Sequence, residues 1–177
     1  MTQIHSAHHE LPETPLFAGL TEDDWPQVLA AGTRVELGAG EQIFRQGAPG
    51  LEFFLIVSGA VQVSVESPNG DLPIAQLGAG AVLGEMSLLL EDDHSVSARA
   101  STSTTLLRFS SAAFNDWLDE RSPTAFRVLR NLANTLAARL RSADAHLVDC
   151  SQQDVYASGP VCTDLEKLRK IFLTDWS

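Results

Sequence analysis

Residues 84–100 read Gly84-Glu85-Met86-Ser87-Leu88-Leu89-Leu90-Glu91-Asp92-Asp93-His94-Ser95-Val96-Ser97-Ala98-Arg99-Ala100. A glycine followed directly by a carboxylate predicts a turn that opens a short helix. Glycine adopts positive φ without strain, and an acidic side chain stabilises the first turn of a helix. Three more acidic residues and a histidine separate the apolar part of this stretch from a strand that begins near residue 96.

The chain around this stretch has the pattern of an antiparallel β-protein. Ten of the twelve glycines fall between Gly32 and Gly84, so the first half is predicted to consist of short strands joined by turns. Residues 61–65 alternate apolar and polar side chains, which is typical of a half-buried strand. The predicted strands are 33–37, 41–46, 52–57, 60–66, 72–77, 96–101 and 104–109, with a hairpin turn at Asn69-Gly70. This spacing predicts a mainly β fold, an antiparallel β-roll of the double-stranded β-helix or jelly-roll type with flanking helices.

Helices are predicted on both sides of the roll. A short one follows Thr21 as its N-cap, and another covers residues 111–120. The longest spans residues 123–148, with Ser122 as its N-cap and Pro123 in its first position. It follows that a long amphipathic C-terminal helix comes after the roll.

One face of this long helix is apolar. An arc of about 100° carries Leu129, Leu132, Ala133, Leu136, Leu140, Ala143 and Leu147. Leucines three and four residues apart fit a helix-to-helix seam in a homodimer, and packing on the chain's own sheet fits the same pattern. The predicted organisation is a flexible N-terminus at 1–14, the roll with its helix at 15–148, and a linker with a short helix at 149–177.

The composition restricts the classes of function. The chain has 177 residues, 44% of them hydrophobic, and a formal net charge of −11 at pH 7. One domain of this size buries a sizeable core, and the excess of acid opposes binding to nucleic acid, which depends on neutralising phosphates. No apolar run approaches the ~20 residues of a membrane span, and residues 1–10 lack the apolar stretch of a signal peptide. We therefore expect a cytoplasmic protein that binds neither DNA nor membranes.

The sequence contains no pattern typical of a catalytic or metal site. It has neither a Ser-His-Asp arrangement nor a P-loop, and Cys150 and Cys162 lack the CxxC spacing of zinc or redox sites. A metal-dependent β-roll needs two or three strand histidines, but His94 is the only histidine between the first and last predicted strands. We expect a protein that is not an enzyme and holds no metal.

Two further glycine-rich stretches precede residues 84–100. They are Gly40-Glu41-Gln42-Ile43-Phe44-Arg45-Gln46-Gly47-Ala48-Pro49-Gly50 and Phe53-Phe54-Leu55-Ile56-Val57-Ser58-Gly59. Together the three stretches resemble the cyclic nucleotide-binding domain family, which includes the catabolite activator proteins and the regulatory subunit of the cAMP-dependent kinase. The resemblance covers residues 15–148. It implies a phosphate-binding cassette between two strands, cAMP or cGMP as the candidate ligand, and a long helix that dimerises.

The resemblance also implies roles for the residues that open the cassette. Gly84 would let the backbone approach the cyclic phosphate, and Glu85 would accept a hydrogen bond from the ribose 2′-hydroxyl. Met86 and Ser87 would contribute backbone N–H donors and an apolar wall, since N–H groups at the start of a helix bind anions.

His94 is a departure from the family pattern, because it occupies the position of the Arg that pairs with the phosphate. Ser95 and Val96 follow it. An imidazole, with an ordinary pKa of about 6.5, is mostly neutral at pH 7, whereas Arg offers five donors and a permanent charge. The three acids before the histidine repel phosphate but favour its protonation. Arg99 lies at an odd offset along the strand, which places it on the opposite face from His94.

Three functions stay open on the sequence. The first is a regulatory sensor that binds a small phosphate-bearing ligand at residues 84–96 and shifts the long helix to alter a separate partner protein. The second is a structural or protein-interaction module whose cassette does not bind. The third is a transcriptional regulator without its own DNA-binding domain, because the residues after Leu147 are too few for the family's helix-turn-helix.

Overall fold

The computed structural model describes residues 11–68 and 70–154, with side chains up to residue 141. In this part of the chain, a 3-10 turn at Pro15–Phe17 is accompanied by four helices and eight strands. The helices are α1 (Trp25–Ala31), α2 (Glu85–Leu90), α3 (Ser111–Asp119) and α4 (Pro123–Asp154). The strands are β1 (Thr33–Leu37), β2 (Gln42–Phe44), β3 (Glu52–Ser58), β4 (Val61–Val65), β5 (Leu72–Leu77), β6 (Val82–Leu83), β7 (Ser97–Ala100) and β8 (Thr104–Ser110).

Two four-stranded antiparallel sheets form the roll, with strand orders β1-β8-β3-β6 and β2-β7-β4-β5. The seven strands predicted from the sequence are all present, which confirms the mainly β fold and the antiparallel roll. β6 has only two residues, too few to show an alternation, and is identified by its pairing with β3. The predicted turn at Asn69-Gly70 includes Asn69, which lies outside the described residues. The strands on either side of it do pair, with Val65 opposite Leu72.

The buried side chains form two layers, which share β3. Phe54 and Ile56 point into the roll between the sheets, whereas Phe53 and Leu55 point towards the helices. Because both faces of β3 are covered, this strand is a continuous apolar run and not an alternating one. Phe53 also stacks on Phe109 of β8, with ring centroids 4.7 Å apart. The layer on the helix side is the one that fixes α4 against the roll, through Ala125, Val128 and Leu132.

Residues 11–14 lie against the roll, although the sequence pattern predicts a flexible segment over residues 1–14. Leu11 packs on the helical layer, and the Thr14 hydroxyl donates a hydrogen bond to the carbonyl of Gly80 at 2.8 Å. Both contacts join parts of the chain that are far apart in sequence, so local pattern does not predict them. Residues 1–10 lie outside the described residues.

Helix α1 begins at Trp25, later than an N-cap at Thr21 predicts. A helix that started at Glu22 would place Pro26 in its interior, where the missing N–H breaks the ladder. Thr21 instead donates to the carboxylate of Asp24 from its N–H, at 2.7 Å, and from its hydroxyl, at 2.9 Å.

Helix α4 begins as predicted and ends later. The N–H of Ala125 donates to the Ser122 hydroxyl at 3.4 Å, as expected of an N-cap. The helix runs to Asp154, beyond the predicted end at 148 and into the segment 149–177 predicted to start with a linker. That extension has a physical reason, because no glycine or proline occurs until Gly159 and Pro160. The predicted C-terminal helix lies outside the described residues. Although α4 is long, no helix in the described part of the chain is apolar enough over sufficient length to cross a membrane.

Candidate functional site

Helix α2 starts at a glycine in the left-handed conformation. Gly84 has φ 76° and ψ 0° and connects β6 to α2. A Cβ atom on this residue would lie 2.7 Å from the carbonyl oxygen of Glu52 and 3.3 Å from Cε1 of His94. Glycine alone fits both the conformation and the space, so it brings the start of α2 directly against β3 and His94.

Glu85 is the buried acid of this site, with 2% of its surface exposed. Its carboxylate accepts a charge-assisted hydrogen bond from Nη1 of Arg139 on α4. Nη2 of the same guanidinium donates to the carbonyl of Val82 at 3.2 Å. Burial raises the pKa of Glu85, and the positive charge of Arg139 opposes that rise. One guanidinium therefore joins both β6 and the first turn of α2 to α4.

Arg139 is not among the residues that the sequence motifs indicate. At 100° per residue it falls between Val128 and Leu132 on a helical wheel, on the face of α4 that packs against the roll. A charge among buried apolar positions needs a partner, because an unpaired buried charge is costly. The position of Arg139 on the apolar face is therefore a signal in the sequence that a buried acid pairs with it, and in the structure that acid is Glu85.

Met86 and Ser87 follow Glu85 but point in different directions. The Met86 side chain is 48% exposed, whereas Ser87 is buried. The Ser87 hydroxyl donates to the carbonyl of Asp93 at 3.3 Å. This bond connects α2 to the segment that leads into β7. Gly50 lies directly against this helix, since a Cβ atom there would be 2.1 Å from Cβ of Ser87. The structure therefore places Ser87 in the packing of α2, and Met86 on its outer side.

His94 lies between α2 and β7 and is only 5% exposed. Its ring stacks on Phe44 of β2, with centroids 3.9 Å apart and planes 15° apart. The backbone N–H of His94 donates to the carbonyl of Ala48, and the backbone carbonyl of His94 accepts from the N–H of Gly47, both at 2.8 Å. Burial lowers the pKa of His94, while the charges of Glu52 and Asp93 act to raise it. The imidazole is therefore mostly neutral at pH 7.

Some of the residues after His94 are exposed to solvent, and others pack on the roll. Ser95 is exposed, and Val96 is half-buried against the inner layer of the roll. Arg99 is exposed on β7 and donates to the carbonyl of Gly40 at 2.8 Å and to Oε1 of Gln42 at 2.9 Å. As the strand alternation predicts, Arg99 lies on the exposed face of β7, whereas the His94 side chain is buried against Phe44.

The acidic run between α2 and β7 lies on the surface. Glu91 directly follows α2 as its C-cap, in the left-handed conformation with φ 54°. Asp92 and Asp93 come next, and all three acids are exposed. The N–H of Asp93 donates to the Asp92 carboxylate at 2.8 Å. Among the residues that the structure describes, no group of three or more His, Cys, Asp or Glu side chains is arranged to hold a metal ion. The run instead places negative charge beside His94.

Comparison with known proteins identifies this arrangement. Residues 34–121, from β1 to just beyond α3, match the family described as the cyclic nucleotide-binding domain. The chain belongs to this family. Both sheets of the roll and the whole of α2 lie in the matched range, so the glycine, the buried glutamate and His94 belong to a cyclic nucleotide-binding domain.

Relatives of this cyclic nucleotide-binding domain include receptors and longer enzymes. The cyclic AMP receptor protein of Thermus thermophilus is 38% identical over 76% of this chain and 61% of its own length. Glutaminase 2 of Bradyrhizobium diazoefficiens is 33% identical over 81% of this chain and 22% of its own length. A crystal structure of a cyclic nucleotide-binding domain from Methylobacillus flagellatus has a TM-score of 0.69 at 25% identity and covers 89% of this chain and 84% of that one. The chain thus spans less than two thirds of either curated relative.

Proposed function

We propose that this chain is a ligand-sensing regulatory module. Its cassette, residues 84–96, would bind a small phosphate-bearing nucleotide, and α4 would pass the binding event to a separate partner protein. The ion pair between Arg139 and Glu85 carries the proposal, because it joins the cassette to that helix. A ligand that competes for Glu85 changes the free energy of this contact and so biases the position of α4.

cAMP and cGMP are the first ligands to consider. The Thermus thermophilus relative is named a cyclic AMP receptor protein, and its similarity covers 76% of this chain. The cassette departs from the family pattern at His94, where a buried neutral imidazole supplies less attraction for phosphate than an Arg. We also expect regulation and not catalysis, because the similarity to Glutaminase 2 covers only 22% of that protein, about the length of one domain.

We infer a homodimer from an apolar face of α4 that the roll leaves open. Phe126 is 51% exposed and Leu140 is 64% exposed, and Ala133 lies exposed between them. Leu129 and Leu136 are half-buried along the same stripe. Leu132, by contrast, is fully buried in the chain's own core. The helix thus has one face for the roll and a neighbouring face with the spacing of a seam between two copies.

Calorimetry with cAMP, cGMP and a cyclic dinucleotide tests the proposed binding. We expect heat of binding for one of these ligands, and at least a tenfold loss of affinity, about 1.4 kcal/mol, in Glu85→Gln. Glu66→Gln, at an exposed position after β4, is the matched control and should bind as the natural protein does. Silence of all three ligands at millimolar concentration would overturn the proposal and favour a cassette that serves only as scaffold.

A further inference from the structure

Residues 84–96 contain no lysine and no arginine. Within this segment, His94 is the only side chain that can carry a positive charge, and it does so in the pH range in which histidine titrates. The guanidinium of Arg139 also reaches the cassette, but it comes from α4 and is paired with Glu85. The cassette itself therefore offers a phosphodiester ligand a positive charge only when the His94 ring is protonated.

We infer that His94 makes ligand binding proton-linked: the ring is neutral in the free protein and takes up one proton when an anionic ligand binds. This inference rests on the proposed function of the cassette. In this scheme His94 selects ligands by their charge, and the affinity of the protein for anionic ligands depends on pH.

The groups around His94 favour such a switch. β2 contributes the face of Phe44, which stacks on the ring and attracts a cation more than a neutral imidazole. β3 contributes the carboxylate of Glu52, which also pairs with Arg108 at 3.4 Å, and the preceding residue contributes the carboxylate of Asp93. The start of α2 contributes Gly84, whose missing side chain lets Cε1 of the ring come close to the backbone.

Burial and charge act on His94 in opposite directions. The low exposure of the ring favours its neutral form and lowers its pKa, while the two carboxylates and the aromatic face favour the imidazolium. A bound anion adds further negative charge and raises the pKa. Between the pKa of the free protein and that of the complex, binding then takes up a proton. Affinity should rise as the pH falls, by up to about tenfold per pH unit.

Calorimetry with cAMP between about pH 5.5 and about pH 8 tests the inference over the titration range of histidine. Repeating each titration in two buffers of different ionisation enthalpy counts the protons taken up. We expect the natural protein to take up as much as one proton and to bind more tightly at low pH. His94→Arg should bind cAMP with an affinity that does not change over this range, and adenosine, which has no phosphate, should show no linkage.

NMR titration of the His94 ring gives a readout that does not depend on a variant's folding. We expect cAMP to raise the pKa of His94, with His94→Asn serving only to assign the signal. Binding of cAMP without proton uptake, or with an unchanged pKa of His94, would overturn this inference and leave the proposed function standing. Absence of cAMP binding by the natural protein at every pH would overturn this inference, whether or not His94→Arg binds. If cGMP and the cyclic dinucleotide also fail to bind the natural protein, the proposed function is overturned as well.

Discussion

The guanidinium of Arg139 on α4 donates to the carboxylate of Glu85 on α2, across 54 residues of sequence. The two side chains are 16% and 3% exposed, so Glu85 is buried and Arg139 is mostly buried. A buried ion pair adds little stability relative to well-packed apolar residues, because desolvation offsets the attraction between the charges. Removing one partner, however, costs about 3–5 kcal/mol. The main consequence of this pair is therefore the connection that it makes between the cassette and the helix.

Replacement of Arg139 should destabilise the fold, because it leaves the Glu85 carboxyl buried without its partner. We predict that Arg139→Met lowers the free energy of unfolding by about 3 kcal/mol in urea titrations. The double variant Glu85→Gln/Arg139→Met should recover part of this loss. Arg130→Met, at an exposed position on the same helix, should stay within about 0.5 kcal/mol of the natural protein. If Arg139→Met were as stable as the control Arg130→Met, the ion pair would have no energetic role.

The exposed stripe on α4 should hold two copies together. We predict a dimer at micromolar concentration by light scattering, and a monomer for Leu140→Glu, because the new charge would be desolvated in the seam. Ala138→Glu, on the exposed surface away from the stripe, is the control and should remain a dimer. A monomeric natural protein would contradict the predicted seam and leave the stripe as exposed surface only.

The burial of His94 should make the free protein less stable at mildly acidic pH. The pKa of His94 is lowered in the folded state, so the unfolded chain, with a histidine pKa of about 6.5, binds more protons. The free energy of unfolding should therefore fall as the pH decreases from about 7 through 6.5 towards the native pKa. Urea titrations at a series of pH values measure this slope. His94→Asn should show a smaller slope, and identical slopes would contradict the prediction.

Asp24 should hold α1 to the start of α4. Its carboxylate accepts hydrogen bonds from Thr21, from the Thr124 hydroxyl and from Nη1 of Arg127, the last at 2.9 Å. We predict that Asp24→Asn costs about 1–3 kcal/mol in urea titrations, while the neighbouring exposed change Asp23→Asn costs little.

The same carboxylate should contribute to acid unfolding. Burial raises the pKa of Asp24, but the hydrogen bonds from Thr124 and Thr21 and the charge of Arg127 lower the pKa by a larger amount. The net pKa of Asp24 therefore lies below the ordinary value. Its contribution is complete above the unfolded pKa of about 3.9 and is lost as the pH falls through the lower native value. An acid-unfolding curve of Asp24→Asn that matches the natural one would contradict this role.

Local pattern predicts most of the roll and only part of the site. Alternating side chains and turn glycines locate seven strands, because each of those signals acts over a few residues. The Gly84-Glu85 pair and His94 are likewise visible in one short stretch. Arg139 is not, since its partner lies in a different element and only the fold brings the two together. The same holds for the Thr14 contact with Gly80, and for the stacking of His94 on Phe44.

Amide hydrogen exchange with and without saturating cAMP, and in parallel with cGMP, would follow the cassette and α4 in one experiment. In the natural protein, we predict added protection in residues 84–96 together with altered exchange in α4 around Arg139. In Arg139→Met, the response of the cassette should persist while that of α4 is lost. Unchanged exchange in both regions with both nucleotides, or an α4 response that survives in Arg139→Met, would contradict a sensor that signals through this ion pair.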